Sequence, residues 1–450
     1  MASSDPSPNK PDANRPVALG ICAFCRKFRI PILILYVAVI LGIGVNALHR
    51  ALAAGRSTEF RDFREIVQES VVADRDPMKT IQHIRAYPPF FAIAFAPFGL
   101  PSPTVGAVSF VITNVLFLAL GTWLGARACF GRKAPPGAAL LLFLLPAMFA
   151  LTVIARCETD LLVLLPLAGT LALMVRRSRG RDILAGVLLA FPAAMKLTPG
   201  LFGLFLLVQR RWAAFISMAA AGVVFFFGFG LAIWGISGTI ERHRSWYETV
   251  LKPYSEKGPV AFITRPYREI NQSPTAALFR FLNKEHGGEL DADGKAKINV
   301  LDLPADRIRK IATSLKVVIL LVLITGWWIG ARSESPMVFR AAFASVTLGM
   351  LMLGDVSLRT HHVVLLFPYG VSLAVLCRAG AGLLRRLVSI GLPAALALMV
   401  IGALHIGKAA STLVVADFVM LACMMAVVVG WGDGRMEGWK IGRMEESEDS

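Results

Sequence analysis

Lys196 stands in the middle of an apolar run, Ala190–Phe205. A lysine at the centre of a bilayer costs about 2.5–3.5 kcal/mol on insertion scales, so it needs either a task or a way out. Carboxylates recur in short polar breaks: Asp62 in Arg61-Asp62-Phe63, Asp74 and Asp76 before Pro77, and Glu158 and Asp160 after Arg156. Later breaks carry Asn271 and Gln272, and then Asp355, Arg359, His361 and His362. A placed carboxylate can take a proton from a hydroxyl. Fixed cations and imidazoles can hold a phosphate or a developing oxyanion. General acid–base chemistry beside an anion site is what these residue types offer, provided the fold brings them together.

Each residue also has a plainer role. Asp62 lies among alternating charges (Glu59, Arg61, Arg64, Glu65), which suit a solvated amphipathic helix. Asp74 and Asp76 precede a proline and suit turn or cap duty. Lys196 can snorkel from a helix end. His361 and His362 are adjacent, about 100° apart on a helix, and do not chelate one metal as an i, i+4 pair would. Asp417, near the outer end of the last apolar segment, has Lys408 as a candidate partner. Cys22-Ala-Phe-Cys25 is a lone pair without further ligands, and six scattered cysteines give no disulfide framework. No H-E-x-x-H, Walker or G-x-G-x-x-G motif is present.

The elements that must position these residues are membrane helices. Of 450 residues, 56% are hydrophobic and 17% charged, with mean hydropathy +0.62. Apolar runs near 20 residues recur from Pro31 to Trp431, so we expect an all-α, polytopic membrane protein. The net charge of +17 resides in short clusters between these runs, as at Arg176-Arg177-Ser178-Arg179 and Arg385-Arg386. That pattern marks the cytoplasmic side and argues against nucleic acid as a partner. Placing the first span at about 29–48 with its N-terminus inside puts every tight cluster on the cytoplasmic face. The count is then about 12 hydrophobic segments (10–13) with both termini cytoplasmic. Residues 1–28 read as a disordered tail, 29–433 as the membrane domain and 434–450 as a second tail. Outer loops are expected at 49–87 and 237–313.

Cations flank residues 183–208 on both sides, so this stretch reads as a hairpin with Lys196-Leu-Thr-Pro199 at its outer tip. Each limb of about 13 residues spans roughly 20 Å, short of a ~30 Å hydrocarbon core. The lysine then sits in a recessed cavity, since broken helices are tolerated only where protein or water lines them.

The ordered motifs resemble glycosyltransferase family 87, bacterial polyprenyl-phosphate-sugar-dependent transferases of the GT-C superfamily (DUF2029-like). The residues carrying this are Asp62-Phe63, Asp74-Arg-Asp76-Pro77, Tyr87-Pro88-Pro89-Phe90, Ala185-Gly186 through Lys196-Leu197-Thr198-Pro199, Asn271-Gln272-Ser273, and Ser357 to His361-His362. Two departures stand out. Cys157-Glu158-Thr159-Asp160 occupies the place of a Gly-Gln-x-Asn-like turn, and Met78 follows Asp-Pro where the family has tyrosine.

The resemblance implies an inverting transferase of the bacterial plasma membrane with its site on the outer face. Its donor would be a sugar of mannose or arabinofuranose type on a polyprenyl monophosphate. Its acceptor would be a cell-envelope glycan or glycolipid, and membrane lipids would surround it. It implies Asp62 as the general base and Lys196, Arg359, His361 and His362 as donor-phosphate contacts. Asp76, Glu158, Asp160, Asn271 and Gln272 would complete the cavity. No metal or other cofactor is required, because fixed cations can hold a monophosphate leaving group. The rival classes are a transporter or flippase of a lipid-linked or anionic solute and an inactive relative acting as a scaffold.

Overall fold

A computed structural model describes residues 27, 29–52, 59–80, 87–131, 138–258, 267, 270–287, 299–378, 383–402 and 411–432. Cys22, Cys25, Lys408 and, apart from Lys27, both expected tails lie outside these residues. The described chain is all-α, as its periodicity requires. Six of its helices are long and apolar enough to cross a membrane: Pro103–Phe130, Trp212–Lys257, Ala305–Ala331, Arg359–Cys377, Leu383–Ile401 and Thr412–Trp431.

We number the helices α1 (Arg29–Leu52), α2 (Glu59–Val67), α3 (Phe90–Gly99), α4 (Pro103–Phe130), α5 (Ala138–Leu144), α6 (Ala147–Arg156), α7 (Asp160–Met174), α8 (Arg179–Met195), α9 (Leu201–Val208), α10 (Trp212–Val223), α11 (Phe229–Trp246), α12 (Pro274–Leu282), α13 (Ala305–Ala331), α14 (Pro336–Met352), α15 (Leu366–Arg378), α16 (Leu383–Ile401) and α17 (Thr412–Gly432). Helix α8 packs on α7 and α10, and α7 packs on α4. On the other side α14 packs on α13 and α17, and α17 on α16. Almost every residue of α14 is buried, so this helix forms the centre of the bundle. Helix α1 instead exposes Ile30, Leu33, Ile34 and Leu35, an apolar surface suited to lipid.

The hairpin expected from the flanking cations is present. Helix α8 ends where Lys196 adopts an extended backbone (φ −139°, ψ 125°), and Pro199 restarts the chain through a 3-10 turn at Thr198–Gly200 into α9. The returning limb brings Arg211 back to the start of α8, where its Nη1 donates to Asp182 Oδ1 at 2.9 Å. Its Nη2 donates to Met174 O at 2.9 Å. One residue lets α8 approach α10 closely: a Cβ at Gly186 would meet Ser217 Oγ at 2.1 Å and Ala214 O at 2.2 Å.

Within the stretch expected as an outer loop, 237–313, the chain continues helical to Lys257. Gly235 explains why the sequence reads as a break. Its backbone (φ 67°, ψ −175°) kinks the helix without ending it, a conformation that costs glycine little. Around the kink, Trp234 and the charged residues that follow dock on the first polar break. Arg242 Nη2 donates to Asp74 Oδ1 at 2.7 Å, Trp234 Nε1 donates to Ser70 O at 2.9 Å, and Lys79 Nζ pairs with Glu241 at 2.7 Å.

Candidate functional site

Helix α2 is amphipathic, and its aromatic face fixes it on α3. The Phe63 ring meets those of Tyr87, Phe91 and Phe95 edge-on at centroid distances of 5.5, 5.0 and 5.3 Å. Gln68 Nε2 adds a hydrogen bond to Gly99 O at 2.8 Å. Asp62 is left half-buried one helical turn before Ile66. Residues four apart share a helix face, and Ile66 lines a crevice with Ser70, Asp76, Tyr87, Pro88 and Arg242. Asp76 caps the turn below it, Oδ1 accepting from Met78 N at 3.0 Å.

Tyr87 forms the far wall of the crevice. Burial pushes its phenol up to about 12, and Lys196, Asp160 and Glu158 lie within electrostatic reach of it. Lys196 Nζ donates to Asp160 Oδ1 at 2.6 Å, with the two side chains 15% and 7% exposed. The lysine therefore enters the site as half of an ion pair and keeps two further N–H donors. Burial acts to lower its pKa, but the Asp160 carboxylate outweighs this and holds the ammonium above its usual range. His361 faces the same pair, and its Nδ1 accepts from Leu358 N at 3.3 Å.

Glu158 sits beside them, with Arg156 Nε at 2.9 Å. Burial, and then the Asp160 carboxylate, push it up to about 7 against the opposing pull of Arg156. The turn presenting these carboxylates is a Schellman motif at the end of α6. Glu158 N donates to Val153 O at 3.0 Å and Cys157 N to Ile154 O at 3.1 Å, with Cys157 in the left-handed region (φ 55°). A glycine would take that conformation without cost, which accounts for a Gly-led turn as the related pattern.

Not all the anticipated residues gather here. His362 is fully buried and turned away from Lys196. One ring nitrogen meets Leu358 O at 3.0 Å and the other Asp417 Oδ2 at 3.3 Å. Arg359 Nη2 donates to Gly402 O at 2.7 Å, beyond the end of α16. Asn271 and Gln272 hold the scaffold: Asn271 Oδ1 accepts from Ser273 N at 3.0 Å and Ser357 N at 2.9 Å, and Gln272 N donates to Ser357 O at 2.7 Å.

Three residues gain their roles only in the structure. Arg242 was hidden in the charge run Glu241-Arg-His-Arg244. Tyr87 was visible only as part of Tyr-Pro-Pro. Asp355 is a hub: it accepts from Lys316, from Tyr254 at 2.5 Å and from Thr275 at 2.7 Å. Its carbonyl accepts from Asn271 Nδ2 and Ser273 Oγ, both at 2.8 Å. Among the described residues no group of three or more His, Cys, Asp or Glu is arranged to hold a metal.

The arrangement therefore offers a half-buried carboxylate on the helix that borders a crevice and, within electrostatic reach of Tyr87, a buried Lys–Asp pair with an imidazole. No solved structure matches the chain. The polyprenol-phosphate-mannose-dependent alpha-(1-2)-phosphatidylinositol pentamannoside mannosyltransferase of Mycolicibacterium smegmatis is 30% identical over 202 residues. That match covers 45% of this chain and 45% of the relative, so the chain spans about half the length of the relative it matches. The model of glycosyltransferase family 87 matches residues 86–354, more than half of the chain, from Tyr87 through the Lys196 hairpin to the start of the Asp355 turn. On that match the chain belongs to glycosyltransferase family 87.

Proposed function

We propose that this protein is an inverting glycosyltransferase that moves a sugar from a polyprenyl monophosphate to a glycan or glycolipid acceptor at the outer face of a bacterial plasma membrane. The single observation that supports it most is the Lys196–Asp160 pair, buried beside His361 at the hairpin tip. A charge at that depth is costly unless it has a use, and a glycosyl phosphate is a use that fits. The relative's name makes mannose the first donor to test.

In this reading the acceptor hydroxyl lies in the crevice and Asp62 takes its proton. The oxygen attacks the anomeric carbon from the face opposite the phosphate. The C1–O bond breaks with its electron pair going to the phosphate, and the configuration inverts. Negative charge grows on the leaving phosphate, where the free N–H donors of Lys196 stabilise it in a site of low dielectric. His361 is the second candidate contact. No divalent metal is assigned a step.

The test is incubation of purified protein with labelled polyprenyl-phosphate mannose and a membrane-lipid extract. Wild-type protein should label an acceptor. Asp62→Asn should cut turnover by about 10²–10⁴-fold at unchanged folded yield, and near-normal turnover would remove Asp62 as the base.

A further inference from the structure

Three buried polar atoms near the Lys196–Asp160 pair lack a hydrogen-bond partner: Thr159 Oγ1, Asp160 Oδ2 and Thr360 Oγ1. Their residues are 0%, 5% and 1% exposed. Tyr87 stands within hydrogen-bonding reach of Thr159, and Glu158 of Thr360 and Asp160, but none of these contacts closes to full hydrogen-bond geometry on the three atoms. An unmade hydrogen bond on a buried group carries its full desolvation penalty, and native structures tolerate few of them. Three in one neighbourhood, behind the wall of an open crevice, point to a ligand that completes them.

We propose that Thr159, Asp160 and Thr360 form a hydroxyl-recognition subsite for the transferred sugar. The proposal rests on the donor reading above and goes on to name what the site distinguishes. The chemistry of the atoms selects the ligand class. Asp160 Oδ2 belongs to a carboxylate held ionised by Lys196, so it only accepts. A phosphate oxygen, itself an acceptor and negative, is repelled there. A second cation is not called for, because Lys196 already balances Asp160 and Arg156 lies against Glu158. A sugar hydroxyl fits both sides: it donates to the carboxylate oxygen and accepts from a threonine hydroxyl. The pair then straddles the donor, ammonium toward the phosphate and carboxylate toward the ring. Entry is by way of Tyr87, which borders both the crevice and Thr159.

Thr159→Val and Thr360→Val are the informative variants, since each removes a hydroxyl that makes no well-formed hydrogen bond within the protein. The probes are short-chain polyprenyl-phosphate mannose and its singly deoxygenated analogues. Binding to purified protein and transfer are measured separately. Wild-type protein should bind one deoxygenated donor about 10²-fold or more weakly than the parent, as sites built to bond a hydroxyl do. Each valine variant should lose about tenfold in affinity for the parent and little for that same analogue, with an unchanged or higher melting temperature.

Equal affinity of wild-type protein for all the donors overturns the subsite and leaves the donor reading standing. So do valine variants that lose affinity equally for every donor, and variants that lose none. Selective binding without transfer supports the subsite and overturns the transferase reading. Failure of the parent donor to bind overturns both.

Discussion

At the scale of single residues, Lys196 shows how position decides a role. Lys196→Met would leave Asp160 as a lone buried charge, at a cost of about 3–5 kcal/mol, and would remove the proposed phosphate contact. The two losses separate in a double variant. Adding Asp160→Asn should restore most of the melting temperature, while turnover stays down by about 10²–10³-fold. Asp160→Asn alone is the control. Turnover that recovers together with the fold would make the pair structural only. Glu158 gives a pH signature. Between its ordinary value of 4.5 and about 7, the folded chain holds a proton that the unfolded chain releases. Its stabilisation is therefore full at low pH and is lost as the pH rises through about 7. The groups facing it are Asp160, Arg156, Lys196 and Thr360. Wild-type protein should melt with Glu158→Gln at about pH 5 and below it at about pH 8, and parallel melting curves would place the titration elsewhere. The sequence made the ionisable candidates legible because charge is rare in apolar runs. It did not show that Lys196 and Asp160 pair across 36 positions, or that His362 turns to Asp417 while its neighbour His361 faces the site. Side-chain direction within a 3-10 turn is set by packing, not by residue type.

At the scale of elements, the hairpin depends on close approach rather than on Lys196. Gly186→Ala would place a methyl 2.1 Å from Ser217 Oγ and 2.2 Å from a backbone carbonyl. Overpacking costs about 1–3 kcal/mol where side chains can yield, and a carbonyl oxygen yields little. We expect Gly186→Ala to lower folded yield and melting temperature sharply. Gly203→Ala in the same hairpin, with nothing within 4 Å of its Cβ, should leave both unchanged. A comparable outcome for the two would mean that α8 and α10 are not held by contact at Gly186. The turn at Lys196 was legible because cations on both flanks of one apolar run admit no single crossing. The helix from Trp212 to Lys257 was not legible beyond Gly235, because an amphipathic helix over a polar surface has the composition of a loop. Trp234, Arg242 and Glu241 find their long-range partners among residues 70–79, far off in sequence.

At the scale of the whole molecule, the all-α class and the apolar segments were legible from hydropathy, and the orientation rests on the charge clusters. Labelling tests it. In a cysteine-free background, Thr198→Cys should react with an impermeant maleimide applied outside intact cells, and Arg177→Cys only after permeabilisation. Reaction of residue 198 from the cytoplasmic side alone would invert the topology. The tie between Arg211 and Asp182 then carries a consequence for the bilayer. On the orientation read from the charge clusters it would hold the foot of the hairpin at the inner face, and Lys196 lies 14 residues further along the chain. At about 1.5 Å per residue that is roughly 21 Å of helix, against a hydrocarbon core of about 30 Å. A donor phosphate resting among outer-leaflet headgroups stands several ångströms too high to touch this lysine. The protein must dimple the leaflet around the short helices, as hydrophobic mismatch permits at modest cost, or draw the phosphate below the plane of its neighbours. On the proposed function the substrate would then be selected partly by depth, and the thickness of the surrounding membrane would become a determinant of turnover.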